Sequence, residues 1–260
     1  MQFGVCATMD KASLLKQTGF DFIELPVQRT FRPESPDEAV EETLRQAEAL
    51  PLPARAGNSF LPAELKVVGP QVDAERLARY VEAACRRAAR AGVQFIVFGS
   101  GRARWIPDGF DRAKAERQLV EFGRMAGPIA QRHGIVIVAE PLRREESNTL
   151  NTVGEAADLA REVGHANFAL LVDAYHWAWE KDSSEAIVAN GALLRHAHLS
   201  VYGPRVAPGA VPCDFSEFFR ALKAAGYAGG LSLECRWQDL NSEAPGALAE
   251  LRRFAEAASL

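Results

Sequence analysis

The chain has 260 residues, 48% of them hydrophobic and 25% charged, a balance that fits a globular protein with a sizeable core and excludes a disordered or collagen-like chain. With 30 Lys and Arg against 34 Asp and Glu the net charge is −4, so there is no basic field to grip a polyanion and nucleic acid is not an expected partner. No stretch approaches the ~18 apolar residues of a membrane span, and the start MQFGVCATMD lacks the basic and apolar segments of a secretion signal, so a cytoplasmic protein with no membrane partner is expected.

The first β-rich apolar run is Phe3 to Ala7, and the second, Phe22 to Leu25, follows Gly19 and carries one acid, Glu24, whose orientation the pattern leaves open. Ala54 to Phe60 is the third. The amphipathic segment Ala74 to Ala91 has apolar residues at i, i+3, i+4 and i+7, and leads past Gly92 into the fourth run, Phe95 to Phe98. Arg112 to Arg132 leads in the same way past Gly134 into Ile135 to Ala139. Phe168 to Val172 and Leu194 to Leu199 come next, and the helical segment Phe215 to Ala225 passes Gly226 into Gly230 to Leu233. A glycine free to adopt positive φ ends several of these helices just before the following strand.

Eight apolar strands alternating with helices predict a parallel sheet covered on both faces. Over this length they predict closure into a single (β/α)8 TIM barrel spanning residues 1–260. An open doubly wound sheet is the alternative, but no strand is followed by GxGxxG or GxxxxGK[ST]. Gly99, Ser100 and Gly101 read as a tight turn, and Val201 to Pro212 is the longest irregular stretch. The four cysteines, Cys6, Cys85, Cys213 and Cys235, form no CxxC pair and are expected to be buried free thiols.

Side chains at the carboxyl ends of barrel strands converge on one mouth. Runs five to eight end on Glu140, Asp173, His198 and Glu234, successive positions about one βα unit of roughly 30 residues apart. Three carboxylates and an imidazole brought together repel unless a cation sits among them, which points to a divalent metal site. Oxygen-rich ligation with one nitrogen favours Mn2+ or Mg2+, with Co2+ and Zn2+ also compatible. Such a cation would acidify the C–H between a carbonyl and a neighbouring hydroxyl, and one carboxylate would take the proton that the other returns.

The segments AEPLRREESN (139–148), LLVDAYHW (170–177), HAHLS (196–200) and LSLECRW (231–237) resemble the xylose isomerase-like TIM-barrel superfamily, as does FGSGRARWIPDGFD (98–111). Within it they are most similar to the sugar-phosphate isomerase/epimerase, hydroxypyruvate isomerase and ketose 3-epimerase group. The resemblance implies that Glu140, Asp173, His198 and Glu234 are metal ligands and that Glu140 and Glu234 are also the paired acid/base carboxylates. It implies that Glu146 and His176 contact substrate oxygens. The 3-epimerases place an Arg six residues after the metal-binding His, where this chain has Pro204 followed by Arg205, so Arg205 is the candidate for that contact from a shifted loop.

Other polar residues are ambiguous in the sequence. His196 is either a supporting donor or a packed core residue, and His133 and His165 read as surface histidines in turns. Among Arg102, Arg104, Arg143, Arg144 and Arg236, which follow strand ends, Arg104 is the candidate substrate contact. Trp105, Trp177, Trp179 and Trp237 offer either an apolar sugar platform or loop packing. The expected function is a metal-dependent isomerase or epimerase of a sugar, sugar phosphate or hydroxy-keto acid. A dehydratase of the inosose or 3-dehydroshikimate type is the alternative on the same site. A trinuclear-zinc apurinic endonuclease fits poorly, because Asn58-Ser59 and Gly99-Ser100 stand where it needs histidines. Fold-level analogy allows a homo-oligomer.

Overall fold

The eight apolar runs form the strands β1 (Gln2–Cys6), β2 (Phe22–Pro26), β3 (Ala54–Asn58), β4 (Phe95–Phe98), β5 (Val136–Ala139), β6 (Phe168–Asp173), β7 (Leu194–Leu199) and β8 (Gly230–Leu233) in a computed structural model that describes residues 1–260. Each pairs in parallel with its sequence neighbours and β8 closes on β1, so the sheet is a closed barrel in the order β1 to β8. Ten helices connect or follow the strands: α1 (Ala12–Thr18), α2 (Val27–Thr30), α3 (Glu41–Glu48), α4 (Ala74–Arg90), α5 (Arg112–Arg132), α6 (Val153–Val163), α7 (Ala174–Glu180), α8 (Ser184–Ala189), α9 (Ser216–Ala224) and α10 (Leu240–Ala257). The longer ones start on a side-chain cap. Asp73, Asp111, Thr152 and Asp239 each accept from a backbone N–H two or three residues on, satisfying donors the first turn leaves free.

The main core lies between the outer faces of the strands and the helices that cover them, with Leu77, Val81 and Ala84 of α4 and Leu119, Phe122 and Ala126 of α5 buried there. A smaller set, Val97, Val138, Ala169 and Leu171, makes a separate apolar cluster on β4, β5 and β6. Strand β3 stops at Asn58 rather than Phe60 because Ser59 takes a positive φ of 50°, which turns the chain out of the ladder. Two register shifts interrupt the barrel, one at Ile23/Glu24 between β2 and β3 and one at Leu170/Leu171 between β6 and β7. In the second, Leu194 and His196 face consecutive residues of β6, leaving Arg195 as an exposed extra residue. Bulges of this kind re-aim side chains next to functional sites.

All four cysteines are free, as expected, but only Cys85 is buried; Cys6, Cys213 and Cys235 are half-buried. Cys6 ends β1 and Cys235 follows β8, so both sit at strand ends. No helix is long and apolar enough to cross a membrane.

Candidate metal centre and active site

The polar residues that end β5 to β8 come from four adjacent strands and meet at one point. Glu140, Asp173, His198 and Glu234 each offer one ligand atom, and all four atoms lie within 4.8 Å of one another. His198 Nδ1 is 3.3 Å from Glu140 Oε1 and 3.7 Å from Glu234 Oε2. Glu140, Asp173 and His198 are almost wholly buried, and Glu140 Oε1, Asp173 Oδ2 and His198 Nδ1 have no hydrogen-bond partner. Buried polar atoms without partners are costly, and three of them aimed at one point are a donor set that fits a divalent cation with oxygen and nitrogen ligands.

Local structure explains why these side chains stand there. Asp173 ends β6 and also caps α7, with Oδ1 accepting from Tyr175 N–H at 2.8 Å, so its other oxygen is held facing the centre. Glu140 packs against Gly99, the first residue after β4; a Cβ at that position would run into the Glu140 carboxylate and displace it.

The electrostatics are those of like charges under one roof. Burial and the neighbouring Glu140 push Asp173 up to about 7. Burial likewise raises Glu140 against the opposing attraction of His198. Burial would raise Glu234 too, but the charge of His198 and the Arg205 guanidinium hydrogen-bonded to it bring its carboxyl down to about 2. His198 is disfavoured as a cation by burial, yet Glu24 and the carboxylates around it hold its pKa well above the usual imidazole value.

Protons therefore compete with a cation for this site. Asp173 gains its proton as pH falls through about 7, and His198 carries one there as well. Mn2+ affinity is expected to fall by roughly tenfold per pH unit for each proton displaced between pH 8 and pH 6. Calorimetric titration at pH 6, 7 and 8 checks this, and an affinity that does not change with pH would contradict it.

A second tier of residues lines the mouth above the four donors. Arg205 donates through Nη2 to Glu234 Oε2 at 2.7 Å and through Nη1 to Glu146 Oε1 at 3.2 Å. Its backbone φ is +56° and Gly203 before it is at +88°, so a left-handed turn carries the guanidinium back over the barrel despite the shifted position in sequence. Arg143 also pairs with Glu146, at 2.8 Å, and lies against the faces of Tyr175 and Trp179.

His176 is buried, and its Nδ1 accepts from Arg143 N–H at 3.1 Å, so a neutral ring carries its proton on Nε2. Burial and Arg205 lower its pKa to about 3. That Nε2 lies 3.6 Å from Asp173 Oδ2 and 4.0 Å from Glu146 Oε2 and has no partner, leaving an N–H free at the site.

Arg104, the candidate substrate contact among the arginines that follow strand ends, is tied to the backbone of Glu140. It has no exposed surface, and its Nη2 donates at 2.7 Å to the backbone carbonyl of Glu140 while the guanidinium lies over Phe98. The turn at Ser100, φ 39°, precedes it in the loop, and Arg104 Nε and Nη1 have no hydrogen-bond partner. Burial lowers this guanidinium to about 10.

The tryptophans do not form one platform. Trp179 stacks near Tyr175 and Tyr202, Trp177 packs on Phe218, and Trp105 lies with Arg102 and Lys66 around a separate cavity of about 250 Å³. His133 pairs with Glu82, and His165 packs against Gly127 of α5, away from the site. The sequence left Glu24 and His196 open, and the structure joins them at 2.8 Å inside the barrel.

A family model described as xylose isomerase-like TIM barrel matches residues 12–257. The chain is 32% identical over 125 residues to a D-psicose 3-epimerase of Enterocloster bolteae, a match covering 48% of this chain and 40% of that enzyme. It is also 32% identical over 114 residues to a 3-dehydro-D-guloside 4-epimerase of Escherichia coli, covering 44% of this chain and 43% of that one. These matches span less than half the length of either relative. A solved structure of D-psicose 3-epimerase with D-tagatose from Clostridium cellulolyticum H10 shares the fold, with a TM-score of 0.83, 23% identity, and coverage of 98% of this chain and 99% of that one.

Proposed function

Because the chain belongs to the xylose isomerase-like TIM barrel family, we propose that it is a divalent-metal-dependent epimerase or isomerase of a small ketose or related hydroxy-carbonyl compound. The observation that carries this reading is the meeting of Glu140 and Glu234 with Asp173 and His198 at one buried point. The relatives named above, one a 3-epimerase and one a 4-epimerase, support a sugar substrate.

Glu140, Asp173, His198 and Glu234 would hold the cation. Mn2+ or Mg2+ suits this oxygen-rich set, and when bound it would stabilise negative charge developing on a substrate carbonyl oxygen. Glu140 and Glu234 reach the same space from β5 and β8, 3.3 Å and 3.7 Å from His198 Nδ1. A proton removed from a carbon by one carboxylate and delivered by the other to the opposite face of that carbon inverts its configuration. Delivery to the neighbouring carbon exchanges ketose and aldose.

Arg205 pairs with Glu234 at 2.7 Å. A substrate oxygen that draws the guanidinium away returns Glu234 toward the range in which a carboxylate works as a base. His176, with its free Nε2–H, and Glu146 complete a ring of polar contacts around a substrate.

Incubating the protein with Mn2+ in D2O and screening ketoses, hydroxypyruvate, inososes and dehydroshikimate for carbon-bound deuterium tests the reading. Exchange with an epimer or isomer as product supports it; loss of water from the substrate would establish a dehydratase, and no exchange with any compound would count against the reading. Arg205→Ala is expected to raise KM by about 10- to 100-fold. An unchanged KM on the exchanging substrate would remove Arg205 from recognition.

A further inference from the structure

Beneath the four donors, Glu24 of β2 is wholly buried inside the barrel. Its carboxylate lies 2.8 Å from His196 Nε2, 3.0 Å and 3.1 Å from His198 Nε2, and 2.6 Å from Ser232 Oγ. Strands β2 and β7 are not neighbours, since β1 and β8 stand between them, so these contacts cross the barrel interior. The irregularities at Ile23/Glu24 and at Leu170/Leu171 fall on or beside the strands that supply them. His196 is fixed in turn by Phe95, stacked on its ring at 5.8 Å between centroids.

We propose that Glu24 is a positioning residue that holds the His198 ring by accepting its Nε2–H, so that Nδ1 is the nitrogen that gives up its proton and turns its lone pair toward Glu140, Asp173 and Glu234. The inference rests on the reading of His198 as a metal ligand. Its basis is donor and acceptor arithmetic. His196, His198 and Ser232 all present a donor to Glu24, and an ionised carboxylate accepts all three. His198 Nδ1, 3.3 Å from Glu140 Oε1, has no partner of its own. A ligating imidazole whose other nitrogen donates to a carboxylate is fixed in tautomer and orientation, and is a more basic ligand for it.

The charged carboxylate is specific to the task. A glutamine at position 24 has the same shape, but its carbonyl accepts only two of the three donors and its NH2 meets the third head-on. The relief open to the site is to move the His198 proton to Nδ1, which blocks the ligand lone pair. Glu24→Gln is therefore expected to weaken Mn2+ affinity by about 10- to 100-fold, the usual effect of losing such an outer partner.

Two measurements test the proposal. In wild-type protein labelled with 15N at histidine and loaded with diamagnetic Zn2+, the His198 proton is expected on Nε2, with Nδ1 unprotonated. A proton on Nδ1 would overturn the proposal, and this readout stands even if Glu24→Gln does not fold. Calorimetric Mn2+ titration of wild type and Glu24→Gln is the second. Tight uptake that Glu24→Gln leaves unchanged overturns the role of Glu24 and leaves the metal centre standing. A wild-type protein that takes up neither Mn2+ nor Zn2+ overturns the centre itself, and this inference with it.

Discussion

Glu140→Gln and Glu234→Gln are each expected to lower kcat by about 10²-fold or more with the fold intact. Each change keeps the shape of the side chain but removes a carboxylate that is to carry a proton as well as a charge for a cation, and general acid–base catalysis alone is worth roughly 10²- to 10⁴-fold. The fold is expected to survive because neither carboxylate anchors the core. Glu140 Oε1 has no hydrogen-bond partner, and Glu234 faces the mouth beside Arg205. The partial reactions separate the two roles. If the residues act on opposite faces of one carbon, one variant should lose deuterium exchange into substrate and the other should retain exchange while losing product. Near wild-type turnover in either variant would exclude that residue from the mechanism.

The second large effect concerns the cation. Chelation is expected to abolish activity, and Mn2+ to restore it, because three carboxylates and one imidazole whose ligand atoms lie within 4.8 Å of one another supply donors for a cation but, beyond the His198 ring and Arg205, no positive charge to stabilise a developing oxyanion. Asp173→Asn isolates the ligand role. The amide oxygen can still accept from Tyr175 N–H and cap α7, while the oxygen directed at the centre is replaced by a donor. Thermal stability close to wild type, with Mn2+ affinity and turnover both down by about 10²-fold or more, is the expected pattern. Full activity in a preparation free of metal by elemental analysis would refute it.

Both predictions start from residues that are conspicuous in the sequence. Glu140, Asp173, His198 and Glu234 each end an apolar run, and a titratable group in that position is expensive unless a hydrogen-bond partner, an opposite charge or a cation compensates it. Their spacing by one βα unit places them on successive strands. Arg205 shows where spacing stops being informative. Its offset from the expected register placed its reach in question, and only the left-handed turn through Gly203 and Arg205 returns it to Glu234 and Glu146. Arg104 shows the reverse. It stands close after β4 in a segment that resembles an active-site loop, yet it is buried and donates to the Glu140 carbonyl.

What the sequence determined by itself is the alternation of eight apolar strands with amphipathic helices, hence the closed barrel, and the four polar strand ends that meet at its mouth. Both follow from periodicity, which is local and repeats along the chain. The tertiary structure alone decided the partners of Glu24, His196 and Arg104. Glu24 and His196 are far apart in sequence and on strands that are not neighbours, and they touch only because the barrel closes. Which way each points was undetermined in the sequence, because alternation along a strand fixes a face only where the register is regular. The ladders that hold these two residues shift beside Glu24 and beside His196.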